Sequence, residues 1–182
     1  MIYLGGVMGL RFGEAAALRL SDIDFDQGRV LISRSLSEVD GRIEVGTPKT
    51  SAGIRALATP LPLMRELRDH VHRLAITDPD ALLFADSFGG PIRRSNFRRR
   101  VFEPAVEQAG LPGLTFHGLR HSAATTWMAD GIDARTVQRL LGHSDPRLVL
   151  KLYAHAADEA LRAAAKRTGA TFWGDPGKRD EA

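Results

Sequence analysis

No cysteine occurs anywhere in the 182 residues. That excludes a disulfide framework, thiol chemistry and a cysteine-based zinc site, and it fits a reducing cytoplasmic compartment. Long apolar runs are missing too. The opening MIYLGGVMGLRFGE is apolar but short, and Arg11 interrupts it, so it reads neither as a signal peptide nor as a membrane span. Lysine is scarce: 21 of the 25 basic side chains are arginine. Arginine keeps its charge at any ordinary pH and grips phosphate in a bidentate fork. A GC-rich genome produces the same arginine- and alanine-rich composition, so the bias alone does not choose between an anionic partner and codon usage. The net charge of +3 is too small to decide the matter. Hydrophobic content of 43% against 26% charged is that of one globular domain with a sizeable core.

The periodicities predict an α+β fold, mainly α-helical with a small three-stranded antiparallel sheet. Ile2–Met8 reads as the tail of a helix, and Glu14–Leu20 as its continuation beyond Gly9. SDIDFDQGR is a turn. Arg29–Ser33, Arg42–Val45 and Ile54–Leu57 are short extended segments that form a meander, with SEVDG and GTPKTSAG as the connections. Leu61–Ala75 repeats apolar residues at helical spacing after Pro60. Ser95 is expected to cap a helix running to Gln108, with five arginines (Arg93, Arg94, Arg98, Arg99 and Arg100) crowded at its start. Cations there oppose the helix dipole, a cost that an anionic partner would offset. Three helices follow: His117–Ala129 closed by Gly131, Asp133–Leu141, and one capped by Ser144 that carries Tyr153. A last helix covers Ala156–Arg167. Residues 169–182 form a tail that is either mobile or docks on a neighbouring subunit through Phe172 and Trp173.

Between Thr115 and His155 lie His117, Arg120, His143 and Tyr153. His117 and Arg120, three apart on one helix, share a face. His117 and His121 are spaced like zinc ligands, but HGLRH has Gly118 where an HExxH site needs glutamate. A buried tyrosine or a satisfied core histidine is individually commoner than a catalytic pair, so order and spacing must carry the case. As a set, arginine, imidazoles and a phenol suit metal-free phosphoryl transfer through a covalent intermediate.

The order is informative. GLRFGEAAALRLSDIDF, TPKTSAGIR, HGLRH, LGHS and LYAH follow one another from Gly9 onward. Together they resemble the tyrosine recombinase or phage integrase family over residues 9–165. Any one block is a weak signal, whereas five in sequence are a strong one. The resemblance implies that Arg11 and Arg120 clamp a scissile phosphate and that Lys49, in the strand turn, protonates the departing 5′ oxygen. It makes His117 the first histidine of the His-x-x-Arg box, His143 the position held by histidine or tryptophan, and Tyr153 the nucleophile. Glu14 would support Arg11, and His121 would be structural. Arg93, Arg94, Arg98 and Arg99 are the candidate DNA contacts. No metal or cofactor is called for.

By the same resemblance, residues 1–168 are a catalytic domain whose first helix is cut short and whose usual N-terminal core-binding domain is absent. The expected partners are double-stranded DNA and three further copies of the chain, in a bacterial or phage cytoplasmic setting. The leading functional expectation is site-specific recombination through a 3′-phosphotyrosyl intermediate. The alternative is a catalytically idle fragment that binds DNA or a partner. A relaxing topoisomerase ranks behind both, and a zinc enzyme last.

Overall fold

The computed structural model describes residues 1–48, 50–144, 165–169 and 171. Lys49 and Tyr153 lie outside the described residues. So do the helix expected to carry Tyr153, all but the end of the expected helix over 156–167, and nearly all of the tail.

Helix α1, Ile2–Met8, ends at Gly9 in the left-handed conformation (φ +64°). The Leu10 N–H reaches back 3.1 Å to the Leu4 carbonyl, closing the end. Only glycine suits this corner, because a Cβ there would sit 2.9 Å from Leu141 Cδ2. After extended Arg11, helix α2 covers Phe12–Ala16. It stops four residues short of the expected Leu20, and the reason is pairing. The Leu18 carbonyl accepts from Leu83 N–H at 2.9 Å and Leu20 N–H donates to Ala81 at 3.1 Å, so the chain leaves the helix to run beside the segment around Leu82. Both Leu18 and Leu83 are buried by that exchange.

Strands β1 (Ile23–Asp24), β2 (Arg29–Ile32) and β5 (Arg55–Ala58) form an antiparallel three-stranded sheet in the order β1-β2-β5. The expected sheet of three is therefore present with a different membership. The segment 42–45 does not join it. Instead β4 (Arg42–Gly46) pairs with β3 (Ser35–Val39) as a separate hairpin. Asp40 and Gly41, with φ of 48° and 75°, make the two-residue turn, and Val39 faces Arg42 across it. Two left-handed residues in succession match the right-handed strand twist, so SLSEV is a strand and the turn is DG alone.

Helix α3, Leu61–Arg73, buries Leu63, Met64 and Leu67 on the sheet side. Helix α4, Arg94–Phe97, then widens into a π-helical turn, Arg98–Phe102, before α5, Glu103–Gln108. Pro104 explains the widening. It has no N–H for the Arg100 carbonyl and its ring crowds that carbonyl, so the preceding turn opens and Glu103 N–H bonds Arg98 instead. Arg93 occupies the cap position and no side chain caps the helix, so Ser95 is not its cap. Helix α6, Phe116–Ala129, is capped by Thr115 Oγ1, which accepts from Gly118 N–H at 2.9 Å. Helix α7, Ala134–Leu141, is capped by Asp133, and Gly142 closes it at φ +63°. Residues 165–169 are helical.

Three apolar clusters hold these parts together. The first joins α1, α2, β1, β2, β5 and α3 around Leu4, Leu10, Val30 and Ile32. The third seats α7 on α6 through Ala124, Met128, Val137 and Leu141. The second is aromatic and matters most for the site: Phe12, Phe97, Phe102 and the partly buried Phe116 meet edge to face or tilted, with centroids 5.5–6.2 Å apart. Such pairs add ~0.5–1.5 kcal/mol each beyond area burial. Every one of them neighbours a candidate site residue in sequence or one turn away: Arg11 precedes Phe12, His117 follows Phe116, and Arg94 and Arg98 flank Phe97.

Candidate active site

Glu14 is the centre of the site. It is 2% exposed, at the third position of α2, and accepts the Arg11 backbone N–H at 2.8 Å through Oε2. Its Oε1 lies 2.8 Å from Arg11 Nη1. Arg55, on the first position of β5, reaches across with both terminal nitrogens, Nη1 to Oε1 and Nη2 to Oε2, each at 3.1 Å. Arg120, on α6, brings Nη1 to 3.8 Å from Oε2. Burial by itself would raise the Glu14 carboxyl. The hydrogen bonds and charge of Arg55, followed by those of Arg11, override it and hold the group below the usual carboxylate range.

Arg120 is as buried as Glu14, and two of its donors are committed to backbone. Nη1 bonds the Gly9 carbonyl at 2.5 Å and Nη2 the Leu141 carbonyl at 2.6 Å. The left-handed corner at Gly9 thus turns a carbonyl onto the guanidinium, and the end of α7 supplies a second. Burial, then the neighbouring Arg11, pushes the Arg120 pKa down to about 9. Arg11 is different: its side chain is 41% exposed and its guanidinium, anchored by Glu14, stands at the edge of a cleft.

That cleft, about 1030 Å³, is bordered by Arg11, Arg94, His143 and Ser144 on one side and by the β3–β4 hairpin on the other. Thr47, Pro48 and Thr50 line it as well, so both flanks of Lys49 face the same space as Arg11 and His143. The hairpin is pressed against α2, since a Cβ on Gly13 would strike the Leu36 carbonyl. His143 follows the left-handed Gly142, where a Cβ would strike Arg55 Nη1 at 2.8 Å and the Ala52 carbonyl at 2.9 Å. Glycine at 142 therefore lets the end of α7 rest on Arg55. Burial, then Arg120, Arg11 and Arg55, pushes the His143 imidazole down to about 4, so it is neutral at pH 7.

His117 stands on the other side of Arg11. It is exposed, at the mouth of a second cavity of about 550 Å³ floored by Phe12, Phe97, Phe102 and Phe116. Desolvation lowers its pKa, helped by Arg120, His121, Arg11 and Arg94. Both imidazoles therefore sit in the field of Arg11 and Arg120, and both are shifted toward the neutral form. His121 is one turn further along α6, exposed, with Nδ1 at 3.4 Å from Thr125 Oγ1, and borders neither cavity.

The four candidate DNA contacts are all exposed but not alike. Arg93 Nη1 donates to Glu38 at 2.6 Å and to the Gly41 carbonyl at 2.9 Å, tying α4 to the hairpin. Arg98 Nε pairs with Glu103 at 2.7 Å. Arg94 lies over the Phe12 ring at 5.4 Å and borders both cavities. Arg99, like its neighbour Arg100, makes no ion pair among the described residues. No group of three metal-ligating side chains occurs among the described residues, and no described helix is long and apolar enough to cross a membrane.

Of the site residues expected from sequence that are described, Arg11, Arg55's partner Glu14 and Arg120 meet at one carboxylate, His117 and His143 line the two cavities that Arg11 borders, and His121 lies outside both. Arg55 was missed. Its signal was its position in TPKTSAGIR, the block that drew attention to Lys49 alone.

Comparison with known proteins identifies the family and the fold. Residues 1–160 match the phage integrase family. The chain is 32% identical over 158 residues to a putative prophage phiRv2 integrase of Mycobacterium tuberculosis, covering 86% of this chain and 42% of that protein. It is 33% identical over 137 residues to the tyrosine recombinase XerC of Chlamydia muridarum, covering 75% and 39%. It thus spans less than half the length of these relatives. The Tn1549 transposon integrase, solved in complex with circular intermediate DNA, superposes with a TM-score of 0.75 at 25% identity, over 92% of this chain and 58% of that one. The chain belongs to the phage integrase family, and its fold is that of a tyrosine recombinase catalytic domain.

Proposed function

We propose that this chain carries out the strand cleavage and rejoining of a site-specific DNA recombinase, with Tyr153 as nucleophile. The observation that carries the reading is the charge balance at Glu14. Three guanidiniums, from Arg11, Arg55 and Arg120, surround a single carboxylate. The surplus of two cations, with Arg11 at a cleft edge, matches an anion that gains charge as it reacts. A phosphodiester carries one negative charge. Attack by a phenolate takes the phosphorane to two, and preorganised donors are worth most where charge develops.

The steps then follow from the residues. The phenol, with an ordinary pKa near 10, needs a base. His117 is the candidate to take its proton, because desolvation and then the neighbouring cations favour the neutral imidazole. Tyr153 Oη bonds phosphorus, the bond to the 5′ oxygen breaks, and Lys49 supplies the proton that oxygen needs. Neutral His143 donates a hydrogen bond to a non-bridging oxygen. The product is a 3′-phosphotyrosyl link and a free 5′ hydroxyl. Because the phosphoester energy is retained, a 5′ hydroxyl from another strand reverses the attack without ATP, which is recombination.

The partner is double-stranded DNA, contacted along the face that carries Arg94, Arg98 and Arg99, with Arg93 bracing it. The assembly on paired sites is a homotetramer in which residues beyond Tyr153 pack on a neighbouring copy. The setting is bacterial or phage cytoplasm. Residues 1–168 act as the catalytic unit. The experiment is covalent trapping: the protein is mixed with a labelled pool of nicked duplexes, denatured, and examined for a protein–DNA adduct. An adduct in wild type that disappears in Tyr153→Phe, with DNA binding retained, is the expected result. Equal adduct in both removes Tyr153 as nucleophile. Binding without any adduct turns the reading to an idle DNA-binding module.

A further inference from the structure

We infer that Arg55 is a positioning residue for the phosphate clamp, acting through Glu14 and through the turn that carries His143. The inference rests on the functional reading above. Arg55 makes four hydrogen bonds, to three different residues. Its Nη1 and Nη2 hold the two oxygens of Glu14, and Nη1 also donates to the Gly53 carbonyl at 3.0 Å. Its Nε donates to the Leu140 carbonyl at 2.7 Å. One planar group thus joins three segments: the N-terminus of α2 through Glu14, the Ser51–Gly53 turn just after Lys49, and the last turn of α7 just before His143.

The geometry decides between a positioning role and direct contact. The Arg55 side chain is 8% exposed, and it does not border the cleft that Arg11, Thr50 and His143 share. It touches none of the space a phosphate would occupy. What it does fix is the Glu14 carboxylate, whose Oε1 carries the exposed Arg11 guanidinium. A carboxylate gripped at both oxygens cannot swivel, so Arg11 is presented at one height and angle. The same guanidinium blocks any side chain at Gly142, which keeps the left-handed corner and sets where the His143 ring emerges. Lysine cannot substitute. It is a point charge with no planar fork, and it cannot serve two carboxylate oxygens and two carbonyls at once.

Orthovanadate, which adopts the trigonal-bipyramidal shape of a phosphorane, tests this without knowledge of the DNA target. Its affinity is measured by ⁵¹V line broadening for wild type, Arg55→Lys, Glu14→Asp and the double variant, each checked for native circular dichroism and cooperative melting. The expected result is that Arg55→Lys binds at least about tenfold more weakly although the net charge is unchanged, since small misplacements of a reacting group cost factors of that size or more. Glu14→Asp, which withdraws the carboxylate by one methylene, loses a similar factor. The double variant loses no more than either single, because the two act through one linkage. On DNA that forms an adduct with wild type, Arg55→Lys slows adduct formation while leaving duplex affinity within about twofold.

Wild-type-like vanadate affinity in a folded Arg55→Lys protein overturns the positioning role alone. Additive losses in the double variant do the same. Failure of both Arg55→Lys and Arg55→Gln to fold assigns the residue to stability and overturns it too. No vanadate binding by wild type removes the phosphoryl-transfer reading and this inference with it.

Discussion

Two groups of arginines lie within the same small domain, and they are built on opposite terms. Around Glu14, Arg55 and Arg120 are buried, every hydrogen bond is to a carboxylate or a backbone carbonyl, and all the partners but Gly53 come from distant segments. Along α4 and its π-helical turn, the arginines are exposed and their ion pairs are few, Arg93 with Glu38 and Arg98 with Glu103. In the function proposed above, the same side chain does two jobs: buried and multiply bonded, it is a rigid part of the reaction centre, and exposed, it keeps its donors for a phosphate backbone. The structural cost differs accordingly. Exposed pairs such as Arg98–Glu103 contribute ~0–1 kcal/mol, whereas removing one partner of a buried network costs ~3–5 kcal/mol.

The largest test of that contrast is Glu14→Gln. It leaves three guanidiniums facing a neutral amide in a buried site, so unfolding in urea is expected to shift by ~3–5 kcal/mol. A shift below ~1 kcal/mol would mean that water or an anion already screens the arginines, and that the group is no more preorganised than the exposed one. Next in size is Arg120→Lys. The ammonium cannot hold the Gly9 and Leu141 carbonyls together, so single-turnover adduct formation is expected to fall about 10²–10³-fold, the usual scale for losing a charge-stabilising donor. Duplex affinity should change little. A loss of affinity with normal cleavage would place Arg120 with the exposed set.

The same contrast marks how far the sequence could be read. Short blocks such as GLRFGE, HGLRH and LGHS carry the candidate side chains together with their local sequence, so Arg11, Glu14, His117, Arg120 and His143 stand out as candidates from sequence alone. Their convergence does not. It depends on Gly9 turning its carbonyl onto a residue 111 positions away, and on an aromatic cluster drawn from three segments. Arg55 was passed over for that reason: its only signal was its place at the end of TPKTSAGIR, and at a strand start it looks like any surface cation. The α2 boundary was misplaced because helix propensity in EAAALRL lost to backbone pairing with the segment around Leu82. The meander failed because SEVDG combines a strand end and a two-residue turn, and only the DG dipeptide carries the turn. Ser95 was a plausible cap by type, but Arg94 was already helical. The π-helical turn before Pro104 had a signal in the proline, whose usual effect is to end a helix rather than widen it.

A smaller effect separates the two groups by pH. The His143 imidazole, pushed from an ordinary value near 6.5 to about 4 by burial and the arginines, resists protonation in the folded state. Its contribution to stability is therefore complete above about 6.5 and is lost as pH falls toward 4. Glu14, also held low, adds its own loss further into acid. His143→Gln should flatten the stability profile between pH 6.5 and 4 and leave the steeper acid limb in place. An unchanged slope would show that the imidazole feels the arginines no more than solvent does.

The smallest structural effect, and the one that completes the comparison, is expected from Arg99→Ala and Arg100→Ala. Neither residue makes an ion pair among the described residues, and both are exposed, so each substitution should leave melting within ~0.5 kcal/mol of wild type. Their effect is expected in the salt dependence of DNA binding. Removing one cation that pairs with a phosphate reduces the slope of log affinity against log salt by roughly one, with the weakening nearly uniform across sequences. Adduct formation at saturating DNA should be unchanged, because these side chains stand outside the clamp. If Arg99→Ala instead slows cleavage at saturation while the salt slope stays put, the exposed arginines would be acting on the chemistry. The division of labour between buried and exposed guanidiniums would then have to be drawn elsewhere along the π-helical turn.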